Sequence, residues 1–532
     1  MSFLRDDERM FDYVIVGAGP SAMGLLYSLL SPFQETDPPF TIAVIERGTG
    51  PPHDPLTVVP TRWYEAAHDP NSSVAHIRSA MAGRVLEIPI GKGLGGSSNV
   101  NACLCTAPLP QDFESWPTPW RDTTMSSVKA VQEVLKQNGC LHYRSDPENA
   151  FNPFDKSLDI SSLVPTLSVE DTDGHFERRN FHQALLQPFL DSYPHLQRAI
   201  KWFRGMEAQR LLIEGQSVKG VECQNGDMQV VEIMCRKEVI LCAGAIETPV
   251  ILLVSGIGNQ VSGVGKNLRD QVILPVGYLT PWRASRKLSS NAISGMAHFN
   301  VGSEIFQVAV TDEGANDVIL PPVMAMSVRR ETENKSLRFL LQLAFRALKT
   351  SFRLTIQYTP VGYFLRHFAS SALLCFMHPV SSGTVKVDSG KRAGNNTPAR
   401  RRNVEVIVDV GYLRQDRDVE EFRQAWKTCT KAGRYFNFFS GPIFRLLDAC
   451  GIDWFRLWLQ VGASPYFHFC GTCSMKVEGR SDWVVDSELR VRDFSQIRVC
   501  DASIFPSMVS SPPALTCAAL GYSFGRMLLK ER

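Results

Sequence analysis

The segment Gly17-x-Gly19-x-x-Ala22 lies between a strand-like run, Tyr13 to Val16, and an apolar run, Met23 to Leu30. That placement narrows the fold more than any other feature of the chain. A second β-like run, Thr41 to Ile45, ends at Glu46, so the opening reads as a strand–helix–strand unit that carries a parallel sheet. In such a unit the first glycine permits the tight turn and the second lets backbone approach a pyrophosphate. The small third residue lets helix and strand pack closely. The free N–H groups at the helix start add partial positive charge for the phosphates. Glu46 is then expected to accept hydrogen bonds from ribose hydroxyls, and a carboxylate there disfavours a 2′-phosphate. The motif predicts a dinucleotide but does not distinguish a nicotinamide from a flavin.

At 532 residues the chain exceeds one ordinary core, so two units, one interleaved with the other, are expected. The expected division is a nucleotide-binding unit over 1–275, with connecting segments around 105–195, and a second unit over 276–460. A return to the first over 461–532 follows. The second has a different texture, with β-type runs such as Val404 to Val408 mixed with amphipathic helices, and reads as α+β on an antiparallel sheet. The 56 basic and 54 acidic residues nearly cancel, which gives no support for nucleic-acid binding. Thirteen cysteines without regular spacing suggest a reducing compartment rather than a disulfide framework. No signal peptide or membrane span is read from the chain, so an intracellular, cytoplasmic protein is expected.

Several further segments occur in a fixed order. Gly91 to Asn101 (GKGLGGSSNVN) and Gly244 to Gly258 come first, followed by Gly265-Lys266-Asn267-Leu268-Arg269-Asp270. His378-Pro379 with Gly383-Thr384-Val385, then His468-x-x-Gly471-Thr472-x-x-Met475 and Asp501-Ala502-Ser503, complete the series. Together they resemble the glucose–methanol–choline (GMC) family of flavoenzymes over nearly the whole chain. The resemblance implies a Rossmann-like FAD-binding domain, discontinuous in sequence, with an inserted substrate-binding domain. It places Gly91, Gly95, Ser97, Asn99 and Asn101 against the flavin, Ala208 at the adenine end, and Asp501 and Ala502 along the pyrophosphate and ribityl chain. Pro20, Ser21, Arg47, Ala243 and Pro513 are counted with them. Some family members carry a His in the first-signature loop that binds the flavin covalently. Val100 stands at that position here, so non-covalent FAD is expected.

The same resemblance gives His468 the role of base toward an alcohol whose hydride passes to flavin N5. A neutral imidazole suits that task because its pKa lies near working pH. The family usually sets a second His or Asn beside the base, and Pro512 occupies that place. Proline offers no side-chain donor and no N–H, so the expectation is either that Ser510 or Ser511 substitutes or that the chemistry is altered or slowed. The expected function is oxidation of a CH–OH group, alcohol or sugar-like. A lyase or decarboxylase on the same fold is the alternative that Pro512 keeps open. The electron acceptor is not indicated.

Two other features carry weaker chemistry. Cys470-Gly471-Thr472-Cys473 has redox or metal spacing, but no second pair completes a zinc site, so no metal is expected. Residues 334–370 are free of acids and repeat apolar side chains at helical spacing. They are expected to pack on the second unit, or alternatively to touch a membrane surface and admit a lipophilic substrate. Equal sedimentation with anionic and neutral liposomes would argue against the surface role.

Overall fold

A computed structural model describes residues 9–49, 55–81, 84–143, 165–170, 176–279, 293–311, 359, 369–388, 400–432, 436–437 and 442–531. Its first sheet is built around strand Met10–Val16, which pairs in parallel with Ile42–Glu46 on one side and with Val230–Leu241 on the other. Ile200–Arg204 extends the sheet beyond Ile42–Glu46, and Ile497–Val499 runs parallel to the end of Val230–Leu241. The start of that long strand turns antiparallel, pairing with Ser217–Asn225 and through it with Met206–Glu214. Residues from both ends of the chain therefore share one sheet. All five residues of Ile42–Glu46 are buried, as a continuous apolar run in a sheet covered on both faces requires.

Helices Pro20–Leu30 and Pro513–Lys530 cover this sheet and cross at backbone contact. A Cβ on Gly24 would lie 1.9 Å from the Ala518 carbonyl oxygen, and one on Gly521 would lie 1.9 Å from that of Ser21. The small residues allow the crossing, and the crossing holds the C-terminal helix against the helix of the opening Gly-x-Gly motif.

The second sheet is antiparallel, in the order Ile293–Val301, Glu304–Thr311, Ala369–Phe376, Val272–Leu279. Strand Val272–Leu279 of this sheet starts before the expected boundary at 276. Side chains alternate between the faces. Val272, Leu274, Ala372, Leu374 and Phe376 pack with helix Asp416–Ala432 in one core. Ile273, Leu373 and Cys375 point the other way, into a cluster with Leu104 and Ile293, against which Trp63, Ala102 and Tyr466 pack. The sheet thus roofs the end of the Gly91–Asn101 loop. Residues 334–370 lie almost wholly outside the described residues. Among the described residues no helix is long and apolar enough to cross a membrane.

Candidate active site

One cavity runs between the two sheets, from Gly17 and Glu46 at one end to Tyr466 and His468 at the other. Its first wall is the opening turn. Gly17 has φ +97°, and a Cβ there would stand 2.5 Å from the Cys242 carbonyl oxygen, so only glycine fits. Gly96, in the second glycine segment, has φ +55°, and its Cβ would be 2.8 Å from the Cα of Gly19. The two glycine segments therefore meet main chain to main chain. Gly95 N–H completes the contact by donating to the Ala18 carbonyl at 2.8 Å.

Glu46 fastens this junction. Its carboxylate accepts the N–H groups of Gly48 (2.8 Å), Gly93 (2.9 Å) and Ala18 (3.1 Å). Burial pushes its pKa up while the three N–H donors oppose that shift. Glu46 lines the cavity, but most of its acceptor capacity serves the loops, whereas the sequence reading had reserved it for ribose. Arg47 Nη1 pairs with Glu247 Oε1 at 2.9 Å, and Arg401 Nε pairs with Glu247 Oε2 at 2.8 Å. This ion cluster, with Glu207 and Ala208, lines the same region of the cavity. Sequence reasoning missed Arg401 and Glu247. The run Arg400-Arg401-Arg402 was a visible signal, but nothing in its spacing ties it to a site 150 residues earlier.

Pro20, Ser21, Gly91, Ser97, Val100 and Asn101 also line the cavity, as do Ala243, Ala502, Pro512 and Pro513. Helix Pro20–Leu30 starts there with no side-chain cap and no acid in its first turn, which suits an anion. Ala22, Gly95 and Asn99 do not line it, although Gly95 and Asn99 are expected against the flavin. Ala22 is fully buried between helix and sheet. A Cβ on Gly95 would strike Asn180 at 2.7 Å. The Asn99 amide is consumed by the carbonyls of Lys92 (3.0 Å) and Leu94 (3.2 Å) and by Asn180 Nδ2 (2.7 Å). Gly95 and Asn99 shape the loop from behind. Buried Arg178 holds Asn101 through its carbonyl and through Oδ1, the latter at 2.8 Å.

Asp501 lines the cavity and ties three segments together. Oδ2 accepts from Gly244 N–H (2.8 Å) and Thr248 Oγ1 (2.6 Å), and Oδ1 accepts from Ser503 N–H (2.8 Å).

At the far end, Ser464–Pro465 adds to the edge of the antiparallel sheet opposite Val272 and Ile273. The chain then bends through Phe467 at φ +62°. Asp270 sets this bend by accepting the N–H groups of Phe467 (3.2 Å) and His468 (2.7 Å), with the Tyr412 hydroxyl as a third donor. Burial raises the Asp270 carboxyl to about 7 despite these donors.

The next residue fixes the imidazole. His468 Nδ1 lies 2.6 Å from Gln271 Oε1, and Gln271 Nε2 donates to the Val509 carbonyl at 2.6 Å. A carbonyl can only accept, so the Gln271 NH2 must face Val509 and its oxygen must face the ring. Nδ1 therefore carries the proton and Nε2 keeps its lone pair. Tyr466 packs on the ring at 4.2 Å between centroids. Burial lowers His468 to about 3, which keeps it neutral across ordinary pH. Gln271 directly follows the Gly265–Asp270 segment, and the sequence reading stopped one residue short of it.

Neither serine replaces the missing partner at Pro512. Ser510 Oγ donates to Asp112 Oδ1 at 2.6 Å, and its N–H donates to Asp112 Oδ2 at 2.8 Å. Ser511 is fully buried, makes no side-chain hydrogen bond and is not part of the cavity wall. Pro512 itself faces the cavity. Cys470 and Cys473 are buried free thiols, and no metal-binding cluster occurs among the described residues.

Residues 178–273 and 379–521 match the models of the N- and C-terminal GMC oxidoreductase domains. The chain belongs to the GMC oxidoreductase family. Its members are FAD-dependent enzymes acting on alcohol-type CH–OH donors. The chain is 24% identical to an alcohol dehydrogenase [acceptor] of Pseudomonas putida, covering 94% of this chain and 92% of the relative. It is also 24% identical to a pyridoxine 4-oxidase of Microbacterium luteolum, covering 97% and 98%. Among solved structures, pyridoxine 4-oxidase from Mesorbium loti shares the fold, with a TM-score of 0.66 at 20% identity and coverage of 98% and 99%.

Proposed function

We propose that this oxidoreductase holds FAD non-covalently along the cavity and oxidises a CH–OH group, with His468 Nε2 receiving the hydroxyl proton. The observation that carries the reading is the His468–Gln271–Val509 chain of hydrogen bonds, which fixes the lone pair of one neutral imidazole inside the cavity. The interlocked glycine segments and the uncapped helix start fit a pyrophosphate. Ala208, Arg47 and Arg401 would hold the nucleotide end, and Asn101, Ala243, Ala502 and Pro513 the remainder. Val100 has no nucleophile, which supports non-covalent attachment. Bound FAD would supply the acceptor for one hydride, that is two electrons and one proton.

The residues of the chain then have four tasks. His468 Nε2 takes the proton, and Gln271 Oε1 stabilises the imidazolium that forms, through Nδ1–H. Asp270 holds the backbone turn that aims the ring. The buried wall excludes water around the base. Dehydrogenases and oxidases among the relatives favour oxidation over a lyase reaction. The test is anaerobic mixing of the yellow holoenzyme with alcohols. Bleaching of the visible flavin band is expected, slowed about 10²–10⁴-fold in His468→Ala, the span of general-base contributions. Product formed without bleaching, or an unslowed variant with full flavin content, overturns the proposal.

A further inference from the structure

The walls around His468 carry information about what enters. Strand alternation sends Ile273 and Leu373 to the cavity face of the antiparallel sheet, beside Ile293. Leu104 and Trp63 pack in the same cluster and line the cavity with them, and Tyr466 flanks the imidazole. None of these carries a charge.

The charged groups lining the cavity are gathered elsewhere and already engaged. Arg47 and Arg401 share Glu247, Glu46 is held by three backbone N–H groups, and Glu207 accepts from Gln209 at 3.0 Å. Asp501 is saturated by Gly244, Thr248 and Ser503. Asp270 lies behind the main chain of residue 468 and is not part of the cavity wall. Burial lowers the pKa of His468, which marks this end of the cavity as poorly hydrated. An ammonium or carboxylate brought to this end would lose its hydration without a counter-ion among the described residues, a cost that binding does not recover.

Few polar groups stand in the apolar wall, among them the Ser464 hydroxyl and the Trp63 indole N–H. Ser464 pairs directly with Ile273 across the sheet edge and so shares its face. Its hydroxyl is buried without a hydrogen-bond partner, and the residue lines the cavity.

We propose that the substrate is a neutral, predominantly apolar alcohol whose carbinol meets His468 and whose skeleton lies on Ile273, Ile293, Leu373, Leu104 and Trp63. The Ser464 hydroxyl can take one neutral hydrogen-bonding substituent. This inference rests on the reading of His468 as the base. A polyol is disfavoured by the same wall, since its several other hydroxyls would be desolvated among few partners.

The test compares flavin reduction of the holoenzyme under anaerobic conditions by 1-butanol, 1-hexanol and benzyl alcohol with reduction by choline, 4-hydroxybutyrate and sorbitol. The neutral apolar set is expected to give kred/Kd at least 100-fold above the other three. Kd should fall about fourfold per added methylene along the alkanols, the value of one buried CH2. Leu373→Glu, with its FAD content and melting temperature checked, should weaken benzyl alcohol binding at least tenfold. Faster or equal reduction by choline, 4-hydroxybutyrate or sorbitol in the wild-type enzyme overturns the substrate class while leaving the base assignment standing. If no alcohol bleaches the flavin while dithionite does, the assignment of His468 fails and the inference falls with it.

Discussion

Gln271→Leu is the sharpest probe of the arrangement around His468. Leucine keeps the volume of the side chain and removes the acceptor that lies 2.6 Å from Nδ1. In the resting enzyme the lost bond is between neutral groups, a class that contributes roughly 0.5–1.5 kcal/mol. As Nε2 takes the proton, the same bond is donated by an imidazolium and contributes roughly 1.5–3 kcal/mol. The difference, about 1–2 kcal/mol, is stabilisation that grows toward the transition state. At about 1.4 kcal/mol per decade it predicts flavin reduction slowed about five- to thirtyfold at saturating alcohol. The rate rather than the affinity should carry the loss, because the bond does not touch the substrate. Stopped-flow bleaching under anaerobic conditions measures it. The Val509 carbonyl also loses its donor, so the variant should be less stable by about 1–3 kcal/mol, and flavin content and melting temperature must be recorded alongside. In Gln271→Glu a carboxylate beside Nδ1 should raise the His468 pKa and move the acid limb of the rate profile upward from about 3. A Gln271→Leu enzyme with full flavin and a rate within about twofold of wild type refutes the argument.

Three further outcomes follow from the same geometry. Pro512 precedes helix Pro513–Lys530 as its N-cap, a position asparagine tolerates, and it faces the cavity. Pro512→Asn should therefore speed flavin reduction, by up to about 10²-fold if its amide meets the reacting oxygen. An unchanged rate in a flavinated variant means that position 512 does not reach that oxygen. Burial depresses His468 to about 3 from 6.5, so the unfolded chain takes up a proton there that the folded chain refuses. Its contribution to stability is full above pH 6.5 and is lost as pH falls toward 3. The stability difference between wild type and His468→Ala should rise with pH through that window by up to about 1.4 kcal/mol per unit and level off above it. Parallel unfolding curves at every pH would refute the shift. Acid precipitation should leave all yellow flavin in the supernatant, and colour retained in the pellet would contradict non-covalent binding.

What the sequence made legible were the features whose chemistry is local. Gly17, Gly19 and Glu46 could be placed because a tight turn, a close backbone approach and a strand-end acid leave fixed spacings, and His468 because Gly471 and Thr472 follow it at family distance. The residues that escaped act across the chain. Glu46 was expected to face a ribose, yet it accepts from Gly93, a partner 47 residues away that spacing does not reveal. Asn99 looked like a ligand contact because it sits in a glycine loop, and only the fold shows Asn180 consuming its amide. The discontinuous first sheet explains both of these contacts, since loops brought together by parallel crossovers must satisfy one another's buried polar groups before any are left for a ligand. The same constraint bears on the unusual position 512. A second imidazole or amide there would add another polar group to a wall whose described members near His468 are almost all apolar, and Ser510, the nearest hydroxyl with a partner, is already spent on Asp112. On the proposal that His468 is the base, the absence of that group and the apolar lining are two aspects of one design, in which the imidazole is held and polarised from behind, through Gln271, rather than assisted from the substrate side. Such a site would discriminate by what it excludes, and it would place the burden of catalysis on a hydrogen bond that no substrate atom touches.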